Sequence, residues 1–538
     1  MAGPNVRRMA RATDGDQTPP AADEARPSEK ATEPKKKGQK AKQAKIAAGL
    51  AVGLGKSGVR RLRTGKPEED GGVVGRSAVQ RQDELTALAG KIGASQARHK
   101  ARSMFASAER KEQLDEEHMV RTAAQVKDAI GGMKGVVMKV AQMQSFTNED
   151  MPDAWKEQLA QLQSAAPPMS GELAAGVVEQ ALGQRPEQLF AEWDPIPIGS
   201  ASIGQVHRAI THDDVAVAVK VQYPAAADAL SGDLANVGSL IEMIVRLAGD
   251  ADAEGLNDAR PIIDEMALRI GEEVDYAKEA TNQQMFSAYF ADHPFIHIPR
   301  VVTELSAATV LTTELVDGVK FAELETWPQT ERDLAGETIF RFVQHSVFRM
   351  GSYNGDPHPG NYLFHPGGRV TFLDFGLVKT VDAPITALLS GVFAASVSED
   401  DVVGFEAAMR AAGFIKPGIS VDADLLFQHH GKRWRRMVAD EVARMPWPSH
   451  RPVRDDDGKP IPHTEEEKAL HRAVRMPPEF TMLMRLLEGM EAIVARLGSQ
   501  RHWRAVAAQI WPFVAGPAAT PLGELEAAWI AAKGTMAP

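Results

Sequence analysis

Three polar residues near the middle of the chain have the types and spacing needed to transfer a phosphoryl group. Asp356 and Asn361 lie five positions apart in the run Asp-Pro-His-Pro-Gly-Asn, and Asp374 opens an Asp-Phe-Gly tripeptide. Transfer from a nucleoside triphosphate needs a carboxylate beside the attacking hydroxyl, with an amide and a second carboxylate that hold Mg²⁺ against the phosphates. The pattern therefore predicts a catalytic loop.

A catalytic loop of this kind requires a phosphate-binding lysine upstream, and Lys220 fits that role. It lies near the end of an alternating Val/Ala run that predicts a strand, which is the usual setting for a lysine that neutralises nucleotide phosphates. A turn of small residues comes before this strand, where backbone amides can approach phosphate closely. We expect four residues of this turn to contact the nucleotide: Gly199, Ser200, Ala201 and Ser202.

A helix predicted over about 259–289 follows the lysine strand and should carry a carboxylate that holds Lys220. Glu273, Asp275 and Glu279 are the candidates. Two further strands are predicted at 299–302 and 309–318. The second ends in Glu-Leu-Val-Asp-Gly, which is typical of a hinge, so we expect the backbone near Glu314 and Val316 to bond an adenine edge.

Taken in order, these elements predict an α+β, bilobal protein-kinase-like fold. The small β-rich N-lobe is expected at 191–318 and the helical C-lobe at 319–500. Lys220 would contact phosphate and Glu279 would hold Lys220, while Asn361 and Asp374 bind Mg²⁺. Asp356 would orient or deprotonate the attacking hydroxyl. The expected cofactors are Mg²⁺ and ATP, with ADP as the alternative nucleotide.

Three departures argue against an ordinary protein kinase. The phosphate-covering loop lacks the Gly-x-Gly-x-x-Gly pattern, and Asn354 and Gly355 precede Asp356 where an arginine is usual. No Ala-Pro-Glu follows Asp-Phe-Gly, so the usual platform for a protein substrate is not predicted. A small-molecule kinase of the aminoglycoside or choline type shares the catalytic loop and stays open as an alternative.

Charge is unevenly distributed along the chain. Up to Lys66 there are sixteen basic and six acidic residues, whereas the whole chain carries −11. A basic tail on an acidic body indicates an anionic partner; we expect a lipid or membrane surface and no nucleic acid, with a solubilising disordered tail as the alternative. No apolar run reaches the ~18–20 residues of a membrane span, so a cytoplasmic, peripherally membrane-associated protein is expected. The absence of cysteine excludes disulfides and thiolate chemistry.

The chain resembles the UbiB family of atypical kinases, also called the ADCK group, over about residues 125–500. Asp356 to Asn361 match the family's Asp-Pro-His-Pro-Gly-Asn loop without change. The family's Ala-rich loop corresponds to residues 199–207, with Gly199 and Ser200 in place of two alanines. Its Glu-x-Asp motif matches Glu273 and Asp275, and its nearby helix glutamate matches Glu279. Its Lys-x-Gly-Gln motif corresponds to the run from Lys139 to Gln142, with alanine in the glycine position.

The resemblance implies a helical N-terminal extension at 76–190 that packs over the active site. In the family the lysine of that extension meets the Glu-x-Asp pair and blocks protein substrates, so Lys139 and Gln142 would cap the nucleotide pocket here. The implied activity is that of an ATPase or atypical kinase supporting isoprenoid-quinone or other lipid metabolism at a membrane. Its implied partners are quinone-precursor lipids or biosynthetic enzymes. A nucleotide-switched lipid-binding scaffold or chaperone is the alternative. The remaining segments are expected to be a disordered basic tail at 1–75 and a C-terminal tail at 501–538.

Overall fold

The computed structural model of the chain describes residues 169–201, 203–224, 275–397, 401–437, 441–446, 464–511, 513–514 and 519–534, with seven single residues between 95 and 114. The predicted tail at 1–75 and most of the predicted extension at 76–190 lie outside these residues. So do Lys139, Gln142, Ser202 and Glu273. None of the described helices combines the length and the hydropathy that crossing a membrane requires.

The described residues form a mixed α+β structure of small sheets and many helices. The strands are β1 Glu192–Trp193, β2 Gly199–Ala201, β3 Gly204–Ile210, β4 Ala216–Gln222, β5 Ile296–His297, β6 Val310–Glu314, β7 Ser352–Asn354, β8 Tyr362–Phe364, β9 Val370–Phe372, β10 Val378–Thr380, β11 Ala443–Arg444 and β12 Gln500–Arg501. The helices are α1 Gly171–Leu182, α2 Pro186–Leu189, α3 Tyr276–Tyr289, α4 Phe321–Leu324, α5 Gln329–His345, α6 Ala383–Val397, α7 Val402–Ala411, α8 Ala423–Leu426, α9 Lys432–Met437, α10 Glu465–Ala473, α11 Pro478–Arg496, α12 Trp503–Ile510 and α13 Pro521–Lys533.

The largest sheet is antiparallel, with the order β1–β3–β4–β6 and β2 paired to the other end of β3. Successive side chains of a strand point to opposite faces. Val217, Val219 and Val221 of β4 are therefore buried on one face, against α1, and Lys220 lies on the other. Each buried valine contributes roughly 1.5–3 kcal/mol of hydrophobic stabilisation. The opposite face packs on Tyr276 and other residues of α3.

A buried polar pair on β3 ties the segment before α1 to this sheet. The Gln205 side chain accepts from the Met169 amide (2.9 Å) and its Nε2 lies 2.9 Å from His207 Nε2. His207 Nδ1 lies 2.9 Å from the Asp194 carbonyl, which can only accept, so Nδ1 carries the ring proton. The imidazole also stacks on Trp193, with the ring centroids 4.6 Å apart. Burial lowers the pKa of His207 and favours the neutral ring.

The helical part of the chain is built around α5, which is buried along most of its length. Three small sheets lie beside it: β5–β9–β8, β7–β10 and β11–β12. The helices α11, α12 and α13 contribute to the same apolar core. The segment expected to be a tail from residue 501 thus supplies two helices and three buried tryptophans, Trp503, Trp511 and Trp529. The prediction of a tail relied on the Ala- and Pro-rich composition of this segment and gave no weight to its widely spaced tryptophans.

A fully buried charge cluster joins α5 to α13. Arg341 of α5 donates to Glu337 (Nε to Oε1, 3.0 Å) and to Glu526 of α13 (Nη1 to Oε2, 2.6 Å). His293 Nε2 and His345 Nε2 lie 3.4 and 3.3 Å from the other oxygen of Glu526. Burial alone would raise the pKa of the Glu526 carboxyl, but the two histidines and Arg341 hold it well below its ordinary value. This cluster joins α13 to the core through charged side chains.

One predicted strand is wrong. Residues 299–302 form only an isolated bridge, between Val301 and Thr313, and a single helical turn follows at Thr303–Leu305. Pro299 has no amide hydrogen to give to a ladder. The chain instead forms the two-residue strand β5 just before it, which pairs in parallel with β9.

Candidate functional site

Lys220 of β4 and Glu279 of α3 form a close ion pair. The Lys220 ammonium lies 2.8 Å from each carboxylate oxygen of Glu279. It is also 4.0 Å from an oxygen of Asp374. Burial alone would lower the pKa of Lys220, but Asp374 and Glu279 outweigh burial, so its pKa is raised and the side chain stays charged. A fixed cation thus lies between two carboxylates.

The start of α3 explains why Glu279, among the three candidates, meets Lys220. Asp275 is the N-cap, and its carboxylate accepts from the amides of Ala277 (3.0 Å) and Lys278 (3.3 Å). Glu279 then falls one turn into the helix, on the face that also buries Tyr276 and Gln283. Asp275 therefore fixes the start of α3, and this start places Glu279 on the face that contacts Lys220.

Tyr276 packs against Lys220, and Gly204 packs against Tyr276. The Tyr276 ring centroid is 4.8 Å from the Lys220 ammonium, which is a favourable distance between a cation and an aromatic face. A β-carbon at position 204 would lie 2.7 Å from the Tyr276 hydroxyl, so only glycine fits there. The hairpin of β2 and β3 can therefore rest directly on α3.

The catalytic-loop residues are fixed by their own hydrogen bonds. The Asn361 amide donates to the Asp356 carboxylate (3.2 Å), and the Asp356 backbone amide donates to Asn354 (3.1 Å). Asn354 also donates to the backbone carbonyl of Asp374 (2.7 Å). Sequence reasoning treated Asn354 only as the place of a missing arginine. In the structure it links the catalytic loop to the Asp-Phe-Gly turn.

Asp374 is held in a conformation that few residues adopt. Its φ is 61°, in the left-handed region, and its carboxylate accepts from the Gly376 amide at 3.2 Å. The next residue, Phe375, is fully buried with its ring 4.9 Å from that of Phe286 on α3. Asn282 of α3 donates to the Phe375 carbonyl at 2.9 Å. The turn and α3 thus form one packed unit.

Only six residues separate Gly376 from the start of α6. Three of them form β10, which pairs antiparallel with β7 just before the catalytic loop. The Val381 amide then donates to the Gly351 carbonyl at 2.8 Å. The chain here is a strand-paired link, and it has no room for an extended loop that would seat a peptide.

The helix α11 packs against the catalytic loop, a contact that sequence reasoning missed. A β-carbon at Gly489 would lie 2.5 Å from Pro357, so the glycine allows the helix to approach. One turn earlier, Arg485 lies close enough to Asp356 for their charges to interact. Burial lowers the pKa of Arg485 and the Asp356 carboxylate opposes that effect. Position 485 lies 129 residues after Asp356, and no local pattern links the two.

The remaining residues predicted to contact the nucleotide differ in their exposure and in their partners. Gly199, Ser200 and Ala201 form β2, and the first two are exposed. The carboxylate of Glu314 turns toward His297 (3.5 Å) and accepts from the Arg300 amide (3.3 Å). The Glu314 amide donates to the Arg300 carbonyl, so this amide is already used. Val316 lies half-buried on the link that follows.

The chain is similar to known proteins. The profile of the ABC1 atypical kinase-like domain matches residues 161–404. The chain is 32% identical over 284 residues to Protein ACTIVITY OF BC1 COMPLEX KINASE 8, chloroplastic, of Arabidopsis thaliana, covering 52% of this chain and 37% of that protein. It is 31% identical over 276 residues to the probable serine/threonine-protein kinase abkA of Dictyostelium discoideum, covering 48% and 47%. The matches thus span less than half the length of these two relatives.

A solved structure is also similar. It is the complex of Rv3197 with erythromycin from Mycobacterium tuberculosis, and it matches with a TM-score of 0.55 and 29% identity. The match covers 76% of this chain and all of that one. Residues 161–404 thus match the ABC1 atypical kinase-like domain, and this match, with relatives named as kinases, supports the resemblance to the UbiB, or ADCK, family of atypical kinases.

Proposed function

We propose that the chain binds a Mg²⁺-nucleotide at the Lys220 cluster and hydrolyses or transfers its terminal phosphoryl group. The observation that carries this proposal is the position of Lys220, 2.8 Å from Glu279 and 4.0 Å from Asp374. The Asp374 backbone is in turn bonded to Asn354 of the catalytic loop. A cation for phosphate and oxygen ligands for a metal therefore belong to one connected set.

The role of each residue follows from its chemistry. Glu279 keeps Lys220 charged and fixed, so that the ammonium can contact phosphate oxygens. The carboxylate of Asp374 and the amide oxygen of Asn361 are hard oxygen donors of the kind that Mg²⁺ prefers. Bound there, Mg²⁺ would neutralise phosphate charge. Asp356 accepts from Asn361 and is the carboxylate available to orient or deprotonate an attacking hydroxyl or water.

The finer architecture is part of the same proposal. The five-stranded sheet with α1 and α3 would be the N-lobe, the helical part around α5 would be the C-lobe, and the nucleotide would lie between them. Lys139 and Gln142 would cap the pocket, with Lys139 meeting Glu273 and Asp275. The cap contacts of Asp275 use one carboxylate oxygen, Oδ1, which is compatible with a second contact to a lysine.

The substrate class we propose is a lipid acceptor or lipid-coupled hydrolysis, in isoprenoid-quinone or other lipid metabolism at a membrane surface. Two features support it. The family resemblance implies it, and the six-residue link after Gly376 does not offer the platform that a protein substrate needs. The Arabidopsis thaliana relative carries the activity of a bc1 complex in its name.

The test is Mg²⁺-dependent ATP binding and turnover by the full chain, with and without vesicles of anionic lipid and a quinone precursor. We expect vesicle-stimulated turnover that Asp374→Asn lowers by at least about 10²-fold. Asp213→Asn is the matched control, since Asp213 is exposed in the loop between β3 and β4, and it should behave as wild type. Wild-type protein without Mg²⁺-nucleotide binding would refute the proposal. The same assay is repeated with erythromycin added, because the similar Rv3197 structure is a complex with erythromycin.

A second candidate is a lipid-handling scaffold that uses the nucleotide as a conformational switch. The strand-paired link favours it, because the described residues 377–382 leave no room for an acceptor platform directly after the Asp-Phe-Gly turn. Asp356→Ala separates the two functions. An enzyme loses turnover and its effect on cellular quinone content, whereas a scaffold keeps nucleotide binding and quinone content without any turnover.

A further inference from the structure

The C-terminal helix α13 contacts the end of α3, about ten residues beyond Glu279. The Trp529 indole nitrogen donates to the Ala291 carbonyl at 2.9 Å, and the Lys533 ammonium donates to the Tyr289 carbonyl at 3.2 Å. Lys533 also lies over the Trp529 ring, 4.9 Å from its centroid. Both donors thus reach backbone carbonyls at or just after the last turn of α3.

These contacts provide what a helix C-terminus needs. The last carbonyls of a helix lack partners within the helix and carry partial negative charge. An ammonium at Tyr289 and an indole N–H just beyond it satisfy two carbonyls of this region. The end of α3 is therefore capped by side chains that lie more than 230 residues later in the sequence.

The helix α13 is also anchored to α5, so it cannot follow α3 freely. Glu526 is 2.6 Å from Arg341 of α5 and is fully buried with it. Thr520, the N-cap of α13, accepts from Arg341 at 2.9 Å. The helix is thus fixed to α5, and it presents Trp529 and Lys533 to α3 from a rigid base.

A continuous aromatic path connects this contact to the candidate site. Trp529 stacks 6.4 Å from Phe290, which lies 5.5 Å from Phe342. Phe342 is 6.0 Å from Phe286, and Phe286 is 4.9 Å from Phe375 of the Asp-Phe-Gly turn. Because α3 carries both Phe286 and Glu279, a shift of its end would move the partner of Lys220.

We propose that α13 is a positioning element for the active site: Trp529 and Lys533 hold the end of α3 and thereby keep Glu279 against Lys220. Neither residue touches the site, so both act through α3. The inference rests on the proposed function for its effect on nucleotide affinity. The position of α3 itself can be measured without any nucleotide.

The experiment uses the full chain with the double variant Trp529→Phe/Lys533→Met. The phenyl ring keeps the aromatic packing without the N–H, and methionine keeps the aliphatic stem without the ammonium. We expect the affinity for Mg²⁺-ATP to fall about three- to thirtyfold. The same loss should nearly vanish in a Glu279→Gln background, because there the lysine partner is already lost. Leu525→Ala on the exposed face of α13 and Lys468→Met on α10 are the controls and should bind as wild type.

Hydrogen exchange provides the second, nucleotide-free measurement. The amides of α3 should exchange faster in the double variant, while those of α5 keep their protection. Equal affinity losses in the wild-type and Glu279→Gln backgrounds would show that α13 acts as a general stabiliser and would overturn the inference. Unchanged exchange in α3 would overturn it as well. Wild-type protein that binds no Mg²⁺-nucleotide refutes the proposed function, and the exchange result still decides the role of α13.

Discussion

Lys220 and Arg341 are both cations held between carboxylates, yet their surroundings differ. Arg341 is fully buried, and all three of its guanidinium nitrogens donate, to Glu337, Glu526, Gln509 and Thr520. The Lys220 side chain keeps 17% of its surface exposed, and that of Asp374 keeps 27%. The second carboxylate, Asp374, stands 4.0 Å away from the ammonium, beyond hydrogen-bonding distance.

This difference separates a structural cluster from the proposed nucleotide site. The planar guanidinium, with donors in fixed directions, suits a closed network, whereas an ammonium on a flexible stem can exchange partners. The Arg341 cluster has protein partners on every nitrogen and holds α5, α12 and α13 together. The Lys220 cluster keeps solvent access, and its second carboxylate lies 4.0 Å from the ammonium, which suits the phosphate and cation of the proposed function. Loss of the first should affect stability, and loss of the second should affect binding.

The largest effect is expected from Arg341→Met. Removing one partner of a buried charge network leaves the other charges without compensation and should lower the free energy of unfolding by about 3–5 kcal/mol. Denaturant unfolding measures it. The control is Arg496→Met, which breaks the surface pair with Glu325 (2.8 Å) and should lose at most about 1 kcal/mol. Equal losses in the two variants would remove the distinction between a structural cluster and an ordinary surface pair.

Lys220→Met should weaken nucleotide binding more than it lowers the stability of the fold. Loss of charged hydrogen bonds to phosphate removes about 1.5–3 kcal/mol of binding, which is roughly a 10- to 150-fold weaker affinity for Mg²⁺-ATP. The free energy of unfolding should fall by less than in Arg341→Met. Calorimetric titration and denaturant unfolding of the same preparations measure both quantities. A variant that binds normally but unfolds easily would place Lys220 in the structural class.

Gly489→Ala tests whether the open site depends on packing from the helical part. The added β-carbon would lie 2.5 Å from Pro357, and such overpacking costs about 1–3 kcal/mol. We expect turnover to fall more than nucleotide affinity, because Pro357 adjoins Asp356. Gly391→Ala on α6 is the matched control, since nothing lies within 4 Å of its added carbon, and it should stabilise the chain by up to about 1 kcal/mol. Similar behaviour of the two variants would exclude a role for the α11 contact.

The smallest effect concerns pH. Burial lowers the pKa of His207 in the folded chain, so below about pH 6.5 the unfolded state binds the proton first. Stability therefore decreases as the pH falls, by at most about 1.4 kcal/mol per pH unit for one histidine. His207→Gln should be less stable at pH 7.5 and should show a smaller loss between pH 7.5 and 5.5. An identical pH slope in the variant would contradict the assignment of a neutral, buried ring.

The sequence was most informative where chemistry is local. Asp356, Asn361 and Asp374 lie in short motifs, and Lys220 lies in an alternating strand whose pattern predicts both its element and its face. The structure brings Lys220, Glu279 and Asp374 together. The choice of Glu279 over Asp275 required the helix start, because the N-cap decides which acidic residue faces inward. Glu273 lies outside the described residues, so its predicted role stays a prediction.

Long-range partners could not be predicted. Arg341 and Glu526 are separated by 185 residues, and neither lies in a motif, so only the folded core brings them together. The contact between Arg485 and Asp356 could not be predicted for the same reason. Helical periodicity predicts that one face of α11 is buried, but it does not predict the loop against which that face packs. The residues from 501 onward were expected to be a tail, since their composition is rich in alanine and proline. Three tryptophans of this segment are buried in the core and hold it there. Only the tertiary structure shows where they pack.

The six-residue link after Gly376 has a pharmacological consequence. The packing of the Asp-Phe-Gly phenylalanine distinguishes active from inactive kinase states, and moving this ring out of its pocket needs slack in the chain that follows. Here Phe375 is fully buried against Phe286, and the following strand is paired to β7. Expelling the ring would also break that strand pairing. If the proposed function holds, selective inhibitors should therefore be sought among compounds that occupy the proposed nucleotide position with Phe375 in place.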